Sequence, residues 1–328
     1  VPLFLPGMQG LRFAVRALPY VSSLAFLMLY LGRPMRRPVP EGTAPLVLAL
    51  FLLVANLLRP TSQPYAGLAQ CIFQLAIASP MFWLHKAVRS ARQLEQLIVL
   101  ILVLNFLSAG LGVLQVYYPD RFLPPQFNSM MSADTLDALS YVGADGRMII
   151  RPPGLSDQPG SAALAGGLTA LVGLGLALTT RKRVHVLMVS LMSGVGLAAV
   201  YLTQVRSILL MTLGAAVMVA FIVLRQGRLA RAGIGLVLGS ALVVGSFVWA
   251  TSVGGSAVQS RFLDIRQEGA VAMYQSNRGM FLSHTVGELL DQYPFGAGVG
   301  RWGMMQQYFG DSTITQAAPI YVEIQPTG

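Results

Sequence analysis

The chain has 328 residues, of which 54% are hydrophobic and only 11% charged, and its mean hydropathy is +0.62. A soluble domain carries about 25% charged residues, so the composition excludes an ordinary soluble protein and points to a membrane one. A single cysteine, Cys71, excludes a disulfide framework and a cysteine-based metal site, while the net charge of +10 has to be explained by where the basic residues fall.

In chain order, eight apolar segments approach or reach the length that crosses a ~30 Å hydrocarbon core as a helix. They lie at 11–32, 44–58, 65–85, 95–118, 161–179, 184–203, 207–224 and 232–253. Pro19 and Pro80 fall inside the first and third, which predicts kinks there. The stretch "RPMRRPVPEG" after the first is a proline-rich loop, and polar stretches at 119–160 and 254–328 interrupt the series. The predicted architecture is an all-α, polytopic integral membrane protein with about eight transmembrane helices. It divides into a helical domain at 1–253 and a large, partly helical outer loop at 254–328.

The basic residues orient this arrangement. Connections 33–43, 86–94, 180–183 and 225–231 hold 12 Lys or Arg in 31 residues, whereas the opposite set of connections holds nine in 136, all of them Arg. The positive-inside bias puts the first set in the cytoplasm. All of the net charge then sits on the inner side, and nucleic-acid binding has no support. The loops 119–160 and 254–328 and the residue Arg206 face outwards.

Three outer stretches carry polar groups of interest. In "YLTQVRSILL", Arg206 stands in a tight turn between two apolar runs with no acid nearby in sequence. Two readings are open. A boundary arginine extends its guanidinium to the headgroups, or it faces a polar ligand, since a rigid guanidinium fork grips phosphate oxygens bidentately. In "RPPGLSDQPG", Ser156 or Asp157 is placed to cap the fifth helix, and Arg151 is a second arginine at the same outer level. In "SNRGMFLSHTVGELLDQYPFGAGVG", residues 276–292 are predicted as an amphipathic helix, with Arg278 at its start and His284, Glu288 and Asp291 on one side. "GVGRWG" imitates a dinucleotide fingerprint, but a helix and not a strand precedes it; these glycines are expected to form a tight connection packed on the membrane helices. There is no phosphate-binding loop and no H-E-x-x-H, and no metal or other cofactor is expected. The chain begins at Val1 and ends at "EIQPTG" in what reads as a loop, which gives the expectation of a piece of a longer protein.

Taken in order, these stretches resemble the O-antigen ligase and O-antigen polymerase group of bacterial membrane proteins. That group has an "R-x-x-G" turn before a helix, a "T-x-S-R" boundary motif and an "R…P-x-x-G-x-G-x-G" stretch in a large late loop. The counterparts are "RPPG" with Arg151, "TQVRS" with Arg206, and Arg278 followed by Gly296, Gly298 and Gly300. The serine of the second motif stands at position 207, and "APIYVEIQ" replaces the "H-N-x-Y" typical of the ligases, which favours a polymerase-like enzyme.

The resemblance implies a multi-pass protein of the bacterial inner membrane with its site towards the periplasm. Its activity would be metal-independent transfer or polymerisation of undecaprenyl-diphosphate-linked oligosaccharide units, as in exopolysaccharide or lipopolysaccharide biosynthesis. A flippase and a chain-length regulator are the implied partners. Arg206, Arg151 and Arg278 would hold the diphosphate, with His284, Glu288 or Asp157 as the general base. The alternatives are a ligase passing the glycan to a lipid or protein acceptor and, from another class, a membrane anion transporter of the bicarbonate kind.

Overall fold

A computed structural model describes residues 9–32, 40–123, 140–156, 160–180, 182–227, 229–268, 285–296, 298–301, 305–306 and 309–311. The chain forms two compact units, one built from Arg92–Met273 and the other from Pro6–Ala91 with Tyr274–Gly328.

In the second unit, α1 (Gln9–Leu31) and α2 (Thr43–Ala55, prolonged by a 3₁₀ turn to Leu58) precede α3 (Pro64–Ala78) and α4 (Pro80–Ala87). The predicted segment 65–85 is thus two helices, because Pro80 cannot continue the backbone ladder. Ser79, buried at the junction, accepts a hydrogen bond from Trp83 Nε1 at 3.2 Å and lies 2.6 Å from the Ser23 hydroxyl of α1. Polar contacts of this kind hold helices together where lipid removes the hydrophobic drive between them.

The first unit starts with α5 (Ala91–Tyr117), a short helix α6 (Pro119–Phe122) and a hairpin of β1 (Ser140–Val142) and β2 (Met148–Ile150). Helices α7 (Ala162–Thr179), α8 (Arg183–Thr203), α9 (Arg206–Arg225) and α10 (Leu229–Glu268) follow. Helix α8 is the axis of this unit, and from Gly196 to Thr203 every residue is buried. Small residues allow that. A β-carbon on Gly196 would stand 2.5 Å from the Gly166 carbonyl of α7, and one on Gly166 would collide with the Gly196 carbonyl. The two backbones therefore touch, a close approach open only to glycine.

Among the described residues, six helical stretches are long and apolar enough to cross a membrane, and Ala17–Leu31 and Thr43–Leu58 are shorter apolar helices. Their outward faces are greasy: α9 alone exposes Met211, Val217, Met218 and Phe221. So much exposed apolar surface needs a lipid solvent, and the chain is a multi-pass membrane protein.

One boundary differs from expectation. The eighth segment does not end at 253: α10 runs on to Glu268 across a break at Gly255 (φ 61°, ψ −150°). The polar stretch from 254 therefore begins as helix.

Candidate functional site

Three connections of the Arg92–Met273 unit pack together: the hairpin with the Arg151 turn, the end of α8 and the break in α10. In the Arg92–Met273 unit, β1 and β2 pair antiparallel with Tyr141 opposite Ile149, and Gly146 (φ 78°) makes the turn. Tyr141 points inwards, 8% exposed, and its hydroxyl donates to the Leu202 carbonyl at 2.8 Å, close to the end of α8. The Ala144 amide donates to the Val253 carbonyl at 3.0 Å. The hairpin sits against the α10 break because a β-carbon on Gly255 would come within 2.8 Å of Ala144 Cα.

Strand β2 delivers the chain directly to Arg151. Behind it Pro152 and Pro153 are fully buried, and Gly154 turns with φ 66° against the Ser108 carbonyl, where a side chain would collide at 2.7 Å. Gln115 brackets that glycine. Its Oε1 accepts from the Gly154 amide at 2.9 Å, and its Nε2 donates to the Gly154 carbonyl at 3.0 Å and to the Phe122 carbonyl at 3.3 Å. The Gly160 amide then donates back to the Arg151 carbonyl at 3.1 Å. The backbone that carries Arg151 is fixed on both sides. Helix α7 begins beyond it with Ser161 at its N-cap and no side-chain cap bond, so Ser156 does not cap it as expected; Asp157 lies outside the described residues.

Arg206 arrives from the other direction. Helix α8 ends at Thr203, Gln204 takes the left-handed conformation (φ 56°, ψ 26°), and α9 starts at Arg206 with no side chain capping its first turn. A left-handed residue with a β-carbon costs about 1–2 kcal/mol. The positive end of the helix dipole lies at this first turn. The neighbouring Val205 lies 3.4 Å from where a β-carbon of Gly160 would be, so this turn packs on the Arg151 loop.

Burial lowers the Arg151 pKa from its ordinary range; the nearby Tyr141 hydroxyl opposes the shift and the Arg206 charge adds to it. Burial likewise raises Tyr141, against the pull of Arg151. Two guanidinium groups thus feel each other in a half-dry recess. Among the described residues no carboxylate forms an ion pair with Arg151, and its buried Nε has no hydrogen-bond partner. Like charges brought together at reduced solvation repel, and a nearby anionic or acceptor group lowers that cost.

The chain matches no protein-family profile, no curated protein and no solved structure.

A cavity of about 680 Å³ opens beside this recess, walled by Gln115, Tyr117, Asp120, Asp145, Met148 and Ser252 among others. Neither Arg151 nor Arg206 lines it, although Gln115 forms part of its wall and also holds the Arg151 turn. The Asp145–Arg147 pair at 3.0 Å is solvent-exposed and contributes little stability. Tyr117 lies 6.5 Å from Trp249 and 6.4 Å from Tyr118, an aromatic group of the kind that marks a membrane–water boundary.

Arg278 and His284 lie outside the described residues. Glu288 falls in a π-helical turn at Thr285–Leu289, continued by α11 (Leu290–Gln292), and belongs to the other compact unit. The glycines of "GAGVG" in that unit pack as expected on the start of α3. The Gln63 amide donates to the Val299 carbonyl at 3.1 Å, and the Gly300 amide donates to Gln70 Oε1 at 3.1 Å. Gln63 also holds Asp311 in both directions, its Oε1 accepting from the Asp311 amide at 2.9 Å and its Nε2 donating to the Asp311 carbonyl at 3.3 Å.

Sequence reasoning overlooked Tyr141, Gln115 and Gln204. Only the first announced itself: "YVGADGRMI" sets D-G between β-prone residues, a strong short hairpin signal.

Proposed function

We propose that the recess holding Arg151 and Arg206 receives the diphosphate of an undecaprenyl-diphosphate-linked glycan. In this reading the chain transfers or polymerises such glycans at the periplasmic face of the bacterial inner membrane, without a metal. The observation that carries the reading is the half-buried Arg151 guanidinium, which forms no ion pair with a carboxylate among the described residues and feels the charge of Arg206. Such a group has a physical reason to exist where a multiply charged anion spends time.

The chemistry follows from charge. An acceptor sugar hydroxyl attacks the anomeric carbon, and the bond from that carbon to the diphosphate oxygen breaks. The electron pair leaves with the diphosphate, and the hydroxyl proton passes to a general base. Negative charge grows on the leaving group, and preorganised cations stabilise it more in the transition state than in the ground state. His284, Glu288 and Asp157 remain the sequence candidates for the base; the Asp120 carboxylate on the wall of the outer cavity joins them. Arg278 is the third arginine that the resemblance assigns to the diphosphate. A ligase would use the same arginines with a different acceptor.

The decisive experiment compares Arg206→Ala and Arg206→Lys in a transfer assay with the lipid-linked glycan of the producing bacterium. Losing one such donor costs about 3–4 kcal/mol of transition-state stabilisation, so alanine should cut turnover by roughly a hundredfold or more. Lysine keeps the charge but loses the fork and should restore only part of it. Wild-type rates for the lysine variant at saturating donor would make Arg206 a headgroup anchor and end this reading.

A further inference from the structure

A second cavity, of about 430 Å³, lies among helices α7 to α10, and neither Arg151 nor Arg206 lines it. Leu171 and Leu174 of α7, Thr212 and Ala216 of α9, and Gly239 and Val243 of α10 are among its walls, and none of its described wall residues is charged. Two of its hydroxyls are used within their own helices. Thr212 donates to the Ile208 carbonyl at 2.7 Å, and Ser193 donates to the Val189 carbonyl at 2.8 Å. Val217, Leu236 and Val244 belong to the wall and are exposed, so the cavity opens towards the surrounding lipid. A space lined in this way stays dry, and empty walls forfeit their dispersion contacts, so its natural occupant is a hydrocarbon chain.

Gly239 is an independent sign of room for an occupant. A β-carbon there would meet only Leu174 Cδ2, at an ordinary contact of 3.8 Å. Alanine would fit and is the better helix former, so packing within the chain does not call for this glycine. Gly235, one turn earlier, is different: a β-carbon there would collide with Leu178 Cδ2 at 2.7 Å. The depth of the cavity also fits a lipid tail. On α9 its walls run from Thr212 to Ala220, about 9 to 21 Å along the axis from Arg206. On α7 they run from Ala170 to Leu178, about 12 to 24 Å from the start at Ala162. Those two helix starts lie together, since Val205 packs on Gly160.

We infer that this cavity holds the polyprenyl tail of a lipid carrier whose headgroup sits at the Arg151 and Arg206 end of the same helices. The assignment to a carrier rests on the diphosphate reading above and adds the site for its tail. A polyprenyl chain bears a methyl branch on each repeat. The small wall residues Ala216, Ala220 and Gly239 leave width that such branches fill and an unbranched acyl chain does not. Tail contacts remote from the reacting bond then serve to fix the diphosphate in place.

The test uses the full chain in phospholipid nanodiscs with two probes, undecaprenol and undecaprenyl diphosphate, which share the tail and differ in the headgroup. Binding is measured by native mass spectrometry for the wild type and for Gly239→Leu and Ala216→Phe, which fill the cavity, alongside the thermal melting of each. Met218→Phe, exposed on α9 and outside the cavity wall, is the control. The filled variants should melt at or above the wild-type temperature yet bind both lipids about tenfold more weakly, the effect of no longer burying roughly two methylenes. Met218→Phe should bind as the wild type does, and the wild type should hold the diphosphate more tightly than the alcohol. If the filled variants bind both lipids as well as the wild type does, bulk phospholipid chains occupy the cavity and the tail site is overturned. If the wild type holds the two lipids equally and the filled variants lose both, the tail site stands and the diphosphate reading falls. If one filled variant does not fold, the other decides.

Discussion

The Tyr141 hydroxyl reaches across from the hairpin to the Leu202 carbonyl at 2.8 Å, joining the loop before Arg151 to the helix end before Arg206. Tyr141→Phe keeps the ring and removes only that bond, leaving a buried carbonyl unsatisfied. The expected cost is about 1–3 kcal/mol, read as a lower melting temperature in detergent. Undecaprenyl diphosphate binding should weaken with it; unchanged melting and binding would show that the bond positions nothing.

Gln115→Leu is a sharper test of the same scaffold. It preserves an apolar helix surface but strips partners from the Gly154 amide, the Gly154 carbonyl and the Phe122 carbonyl. Destabilisation should exceed that of Tyr141→Phe. Trypsin, which cleaves after arginine except before proline, should then cut faster after Arg147, in the hairpin that leads to this turn, in nanodiscs.

Helix contact predicts another contrast. Gly166→Ala places a methyl group against the Gly196 carbonyl and should destabilise by about 1–3 kcal/mol through overpacking. Gly175→Ala in the same helix meets nothing within 4 Å and should be neutral or mildly stabilising, because alanine is the better helix former. Equal melting of the two variants would refute the close approach of α7 and α8.

Orientation is testable with cysteines, Cys71 being buried. Met148→Cys lies in the hairpin and Gln226→Cys in the α9–α10 connection, both exposed. In intact spheroplasts a membrane-impermeant maleimide should label the first and spare the second. The reverse pattern would invert the topology and place the arginine recess in the cytoplasm.

Metal independence is the last expectation. Transfer in EDTA should match transfer in magnesium, since guanidinium groups neutralise the leaving diphosphate in the proposed mechanism. Activity lost in EDTA and restored by magnesium would require a cation alongside the arginines.

The helices were legible because length and apolarity decide them: 184–203 became Arg183–Thr203, and 207–224 became Arg206–Arg225. Pro80 announced the α3–α4 break. What escaped was set by tertiary contact. Nothing local shows that Gln115 folds its amide around Gly154, 39 residues away. Nor does the sequence show that Gln204 takes a glycine's conformation, because glutamine has no preference for it. The extension of α10 was missed because "VQSRFLDIRQE" is polar, and polarity ends a membrane segment without ending a helix. Arg151 and Arg206 were placed at one outer level from the sequence, but the hairpin and the packed turn that join their loops are contacts that no spacing rule encodes.

The seat of the glycine loop on α3 has a consequence for exchanging parts between related proteins. A β-carbon on Gly300 would overlap the Gly67 amide nitrogen, and one on Gly67 would come within 2.9 Å of Val299 Cγ2, so each surface is the mould of the other. Neither can be transplanted alone. A chimera that imports residues 296–311 from a relative must import 56–70 with them, or the graft meets a surface cast for a different loop. Pairs of substitutions in these two segments should therefore be inherited together, as a single module split by more than 200 positions of intervening chain.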